Sequence, residues 1–243
     1  MSESDWLQIP SGAATGCLPR TSKFGEVCSI AREKIAIIDP ADWDAELTKL
    51  PGGIIDMSDC VGEIYNQNGY GSCAFESTTK AIEVVGRFTG YDMPTLNAWF
   101  GYGIAVGWRG GARVGTNIDE NITRLNKLGA ASIDVWPRSK GHNAKPSAEA
   151  YADALRYRTL EWLDCENIAE VGSCLFKRHP VAIGWASHSE LIVGLLPGRI
   201  VRVVGSYGSN WRNNGYHDEP ISRIDFRYGA IALRTVADLG MES

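Results

Sequence analysis

No apolar run in this 243-residue chain reaches the roughly 20 residues that a membrane-spanning helix needs, so no membrane partner is expected. The opening Met1-Ser2-Glu3-Ser4-Asp5-Trp6 offers neither a basic stretch nor an apolar one, and a secretory signal peptide is not expected. Without an export signal, the acceptor-like triplet Asn121-Ile122-Thr123 reads as chance. Long basic runs are missing, and the formal net charge of −5 argues against a phosphate-binding surface, so no nucleic-acid partner is expected. The cysteines are Cys17, Cys28, Cys60, Cys73, Cys165 and Cys174, and none forms a C-x-x-C pair. That spacing disfavours a zinc ribbon or a thioredoxin-like centre, and no metal or cofactor is expected. The cysteines read mainly as reduced, buried thiols. Internal repeats and low-complexity segments are missing too.

What is present is ordinary globular composition, 44% hydrophobic and 22% charged, which excludes a disordered chain and suffices for a large core. Eight tryptophans and nine tyrosines form a high aromatic load, read as core and cleft packing. Residues 1–59 are rich in Gly, Pro and Asp, with one strand-like run at Lys34-Ile35-Ala36-Ile37-Ile38 and a turn with a helix start at Pro40-Ala41-Asp42-Trp43. They hold too little apolar material for a domain and read as an arm packed across the rest. Residues 60–160 alternate helices and loops, with helix starts at Cys73, Pro94 and Ser147. Thr116 reads as the cap of a helix that stops at Gly129. Residues 161–243 add a helix around Ile168 to Phe176 and become strand-rich, with runs at 181–185, 191–196, 200–204 and 230–233. Pro197-Gly198 forms a hairpin turn between the second and third. Helices first and strands later predict an α+β protein with two lobes, 60–160 and 161–243, and an arm, 1–59.

One stretch is chemically loaded, Asn66-Gln67-Asn68-Gly69-Tyr70-Gly71-Ser72-Cys73. It runs from a glycine-broken loop into a helix whose apolar face includes Phe75, Ile82, Val85 and Phe88. Cys73 falls in the first turn, where free backbone N–H groups and the helix dipole favour an anion. A thiol of ordinary pKa about 8.5 is lowered to roughly 3.5–7.5 in such places when a cation stands near. A nucleophilic cysteine also needs a base and donors for an oxyanion. Of the four histidines, His142 and His217 stand in polar turns and read as solvated, while His179 precedes Pro180 and reads as structural. His188, in Trp185-Ala186-Ser187-His188-Ser189-Glu190-Leu191, stands where a tight turn enters a buried strand, and is the candidate base.

Taken together these motifs resemble the papain-like cysteine peptidases, over about Pro51 to Ala232. Asn66-Gln67 before Gly71-Ser72-Cys73 matches the family's oxyanion glutamine and nucleophile. His188 with Gly194 matches its histidine strand. Trp211-Arg212-Asn213-Asn214-Gly215-Tyr216 looks like its Trp-Gly-x-Asn-Gly-Tyr segment, and Val135-Trp136-Pro137 its aromatic-proline landmark. The resemblance implies a papain-like two-lobe fold and a peptide or protein substrate. It implies Cys73 and His188 as a dyad, Gln67 in the oxyanion hole, and Gly110, Gly111 and Trp185 at the substrate.

The departures are specific. The family's Asn-Ser-Trp-Gly reads Gly205-Ser206-Tyr207-Gly208, so glycine stands where an asparagine orients the histidine. Weaker catalysis is expected from that loss, with Ser206 or a water as a substitute. Ala74 replaces an aromatic residue after the nucleophile, the turn between Trp185 and His188 is cut short, and 72 residues before Cys73 are fewer than an inhibitory propeptide of usual length requires. Two alternatives therefore stay open. One is an impaired papain-fold protein with a binding or structural role, for example in a viral particle with an assembly partner. The other is a cysteine acyltransferase or amidase. The expected location is intracellular or virion-associated.

Overall fold

A computed structural model describes residues 16–23, 25, 26, 29, 35–108, 114–185 and 187–236. The longest helix, α2 (Cys73–Phe88), runs through the middle of the molecule and is buried along nearly its whole length. It packs on α3 (Ala98–Ala105) and α4 (Ile118–Leu128) to one side and on a sheet to the other. The side chain of Asn97 caps α3 by accepting from the Trp99 amide, and Gly129 ends α4 at φ 71°, a conformation that favours glycine. Thr116 is not the cap of α4. Asn117 occupies that position, and the Thr116 hydroxyl instead accepts from Asn121. Asn121 is fully buried. Ser147 caps the short α5 (Ala148–Ala154), as its place before the helix predicts.

The sheet has seven antiparallel strands: β1 (Ile55–Asp56), β2 (Thr159–Asp164), β3 (Val181–Trp185), β4 (His188–Leu196), β5 (Ile200–Val204), β6 (Tyr216–Pro220) and β7 (Ala230–Val236). Their order is β2-β7-β3-β4-β5-β6, with β1 added against β4. The β3–β4 turn pairs Trp185 with His188, and the β4–β5 hairpin turns through Gly198 at φ 77° and Arg199 at φ 61°. Both faces of β4 are covered, by α2 and by α6 (Ile168–Phe176), which accounts for its near-continuous burial. Helices gathered before the sheet make this an α+β fold.

Residues Ile35–Ile38 do not form a strand, and Lys34 lies outside the described residues. Ile37 is 53% exposed, no strand among the described residues pairs with this segment, and its Ile38 amide is taken by the Ser173 hydroxyl. The arm is anchored instead by α1 (Trp43–Thr48), whose Trp43 is almost fully enclosed and packs against Gly172 of α6. A Cβ added at Gly172 would fall 2.0 Å from the Trp43 ring, so only glycine admits the indole there. Trp43→Ala is expected to cost about 3–5 kcal/mol, read as a lowered midpoint of denaturant unfolding.

Candidate active site

Two element starts meet at the seam between α2 and the sheet. Cys73 is the first residue of α2, and His188 is the first of β4. One helical turn into α2, the Ser77 hydroxyl lies 2.7 Å from that of Ser189, the neighbour of His188. This bond locks the two starts together. Backbone N–H groups of Ser189, Gly16 and Ala74 reach the Cys73 thiol. Cys73 and His188 are both fully buried. The His188 ring stacks on Tyr207 with centroids 4.8 Å apart at 15°, and its Nδ1 lies 3.3 Å from the Tyr207 hydroxyl.

Gln67 is also fully buried, in the loop that precedes α2. Its side-chain amide donates to the Tyr70 carbonyl at 2.7 Å, and its Oε1 accepts from the Ser206 hydroxyl at 2.6 Å. The Gln67 backbone amide donates to Ser206 as well, and Gly208 donates to Tyr65, so the Gln67 loop is tied to the segment after β5. Ser206 is therefore engaged with Gln67, and no bond from it to His188 is formed. Trp185 is wholly enclosed beneath the site. Gly110 and Gly111 lie outside the described residues.

The sequence leaves open whether the N-terminal arm covers the cleft. Residues Gly16–Arg20 run between the helical side and the sheet side. The Cys17 amide donates to the Ser187 carbonyl, Leu18 donates to Thr116, and Thr116 donates back to Gly16. Arg20 clamps the buried Asp164 through both carboxylate oxygens, at 2.9 and 2.7 Å. Gly16 lies so close to the loop before Cys73 that an added Cβ would be 2.3 Å from the Gly71 carbonyl oxygen. An arm across the lobes was expected, but its course over Cys73 needed long-range pairing that no local pattern records.

Two histidines read as solvated are not. His142 is 2% exposed and packs on the rings of Tyr70 and Tyr102, at 4.3 and 5.4 Å. His217 is buried against Glu190. Their polar sequence neighbours face solvent while tertiary neighbours cover the rings. Cys17, Cys60, Cys73, Cys165 and Cys174 are free thiols, and Cys28 is outside the described residues. Among the described residues no group of three or more His, Cys, Asp or Glu gathers as a metal site.

Burial dominates the electrostatics. Desolvation pushes the Cys73 thiol up to about 12, although the three backbone donors oppose it. Desolvation likewise lowers His188, with His217 adding to the effect and Glu190 opposing it. Both shifts disfavour the charged form of the group concerned.

Searches by sequence against known protein families and against characterised proteins give no match. Solved structures do match. Xylellain, a cysteine protease from Xylella fastidiosa, superposes with a TM-score of 0.64 at 21% identity, over 90% of this chain and 98% of its own. Procathepsin L 3 from the larval midgut of Tenebrio molitor gives 0.66 at 15% identity, over 98% of this chain and 80% of its own. The ragweed pollen cysteine protease Amb a 11, in its proform, gives 0.62 at 17% identity, over 81% and 70%. The chain has the papain-like fold. At these identities the likeness carries the architecture, and the two proform structures share it with this arm-covered chain.

Because thiolate is the reactive form, a thiol raised to about 12 alkylates slowly at neutral pH and faster as pH rises. Gly16→Val should drive the arm off Gly71 and re-solvate Cys73. Iodoacetamide labelling of Cys73 at pH 7 is then expected to accelerate about tenfold or more, since each unit by which the thiol pKa falls is worth roughly tenfold in thiolate. The rate is followed by intact-mass spectrometry.

Proposed function

We propose that this chain is a papain-type cysteine peptidase whose own N-terminal segment lies across its catalytic cleft. The observation that carries the reading is the α2–β4 seam, where a helix-start cysteine and a strand-start histidine adjoin a buried glutamine. In this reading, displacement of Gly16–Arg20 re-solvates the pair, so that the thiol pKa falls, the His188 pKa rises, and a proton passes from Cys73 to His188. The thiolate attacks a peptide carbonyl, and the Cys73 backbone N–H and the Gln67 side-chain amide hold the oxyanion. His188 then gives its proton to the leaving amine, and water releases the acyl group from sulfur.

The substrate is an extended peptide. The arm supports this, because its own backbone already runs through the cleft by pairing with Ser187 and Thr116. That pairing gives affinity without demanding particular side chains. Ser206 holds the Gln67 carbonyl oxygen and thereby fixes which end of the amide is the donor. The amide's present acceptor is the Tyr70 carbonyl, which a substrate oxyanion would compete with or share.

Turnover of an unfolded protein substrate by the Gly16→Val form tests the reading. Cys73→Ala is expected to abolish cleavage, and Gln67→Ala to lower kcat by about 10²–10³. Cleavage that survives Cys73→Ala would overturn it.

A further inference from the structure

The position at which the family carries its orienting asparagine is Gly205, and the space beside it is already filled. A Cβ on Gly205 would lie 2.7 Å from Oε1 of Glu190 and 2.5 Å from the Trp211 ring. Glu190 is two residues past His188 on β4, so both side chains leave the same face of the strand. Its Oε1 and the His188 Nε2 face one another at 3.8 Å. Both atoms are buried, and neither has a hydrogen-bond partner among the described residues. We propose that Glu190 is the positioning residue for His188, replacing from within the histidine strand the asparagine that position 205 lacks.

The carboxylate is built in rather than incidental. Its second oxygen, Oε2, accepts from the Trp185 indole at 2.8 Å and lies 3.0 Å from Nε2 of His217. His217 is held in turn by Glu219, at 3.3 Å, and Glu219 pairs with Arg212 and Arg223. A buried carboxylate without such donors would protonate. Desolvation raises the Glu190 pKa, but the hydrogen bond and charge of His217, with His188 and the Trp185 indole, outweigh that and keep it below the ordinary carboxylate range. One oxygen is thereby anchored and the other is left aimed at His188. Tyr207 fixes the opposite ring edge at Nδ1. Glu76 and Lys80 of α2 are the further charged groups lining the small cavity beside Glu190.

An anionic partner does more than a neutral amide can. It selects the tautomer of neutral His188 with the proton on Nε2, leaving Nδ1 as the acceptor. It also favours the imidazolium, so the charged pair with Cys73 persists to higher pH than it would with an amide in its place.

This inference rests on the peptidase reading for its catalytic meaning, but its test does not. In full-length wild-type protein, the ¹⁵N shifts of the His188 ring are expected to report the Nε2–H tautomer. An Nδ1–H tautomer would overturn the proposal without any variant being made. In Glu190→Gln the His188 pKa is expected to fall by about one unit, tenfold in its protonation constant, while Glu190→Asp retains most of the wild-type value. An unchanged pKa in Glu190→Gln also overturns it. In the arm-displaced background, Glu190→Ala is expected to lower kcat with little change in KM. If the His188 shift is seen and no peptide is cleaved, the peptidase reading fails and the positioning role stands. If peptide is cleaved and the shift is not seen, the positioning role alone fails.

Discussion

The hydroxyl contact between Ser77 and Ser189 is small, yet the site depends on it. A helix start and a strand start are each well defined locally, but nothing local brings them together. The bond joins the helix one turn below Cys73 to the strand one residue beyond His188, inside a seam that excludes water. A net hydrogen bond contributes only about 1 kcal/mol to stability, whereas an unpaired hydroxyl at this depth would cost more. The pairing is therefore better understood as setting register than as holding the two halves together. Apolar packing of α2 on β3, β4 and β7 does the latter.

The same exclusion of water explains why α2 carries so many ionisable side chains without being exposed. Glu83 is fully buried and accepts from the Tyr65 hydroxyl, Lys80, Arg87 and the Leu96 amide. Glu76 accepts from Ser72 and from Arg138. Each charge is compensated where it lies, so the helix can cross the core with a polar stripe. Glu190 follows the same rule on the sheet side, with Trp185 and His217 as its donors. Cys73 and His188 do not follow it. Both are fully buried, and desolvation pushes the thiol up and the imidazole down, while the Gly16 amide is one of three backbone donors that oppose the shift at the thiol. Desolvation disfavours the charged form in which a thiol reacts.

Much of the architecture was legible in the residues. The apolar spacing from Cys73 to Val85 and the apolar runs beyond 180 mark segments that are buried, the glycine at 129 and the serine at 147 mark helix ends, and the elements formed accordingly, except that Phe88, at the end of the expected apolar face, is 48% exposed. The run at Ile35–Ile38 failed because a strand needs a partner edge as well as a pattern. His142 and His217 were misjudged for a related reason, since polar neighbours in sequence do not reveal whether aromatic rings or a carboxylate cover a side chain in space.

By itself the sequence determined the helix start that holds Cys73, the strand start that holds His188, and the glutamine loop between glycines. These follow from short-range rules of capping, turn chemistry and periodicity. Tertiary structure alone decided that Gly16–Arg20 would occupy the cleft and that Ser206 would serve Gln67. It also decided that a carboxylate within the histidine strand would take the space left by Gly205. Those outcomes depend on which distant groups share a volume from which water is excluded. There a polar atom must find whatever partner lies within about 3 Å, and chain order does not record which one that will be.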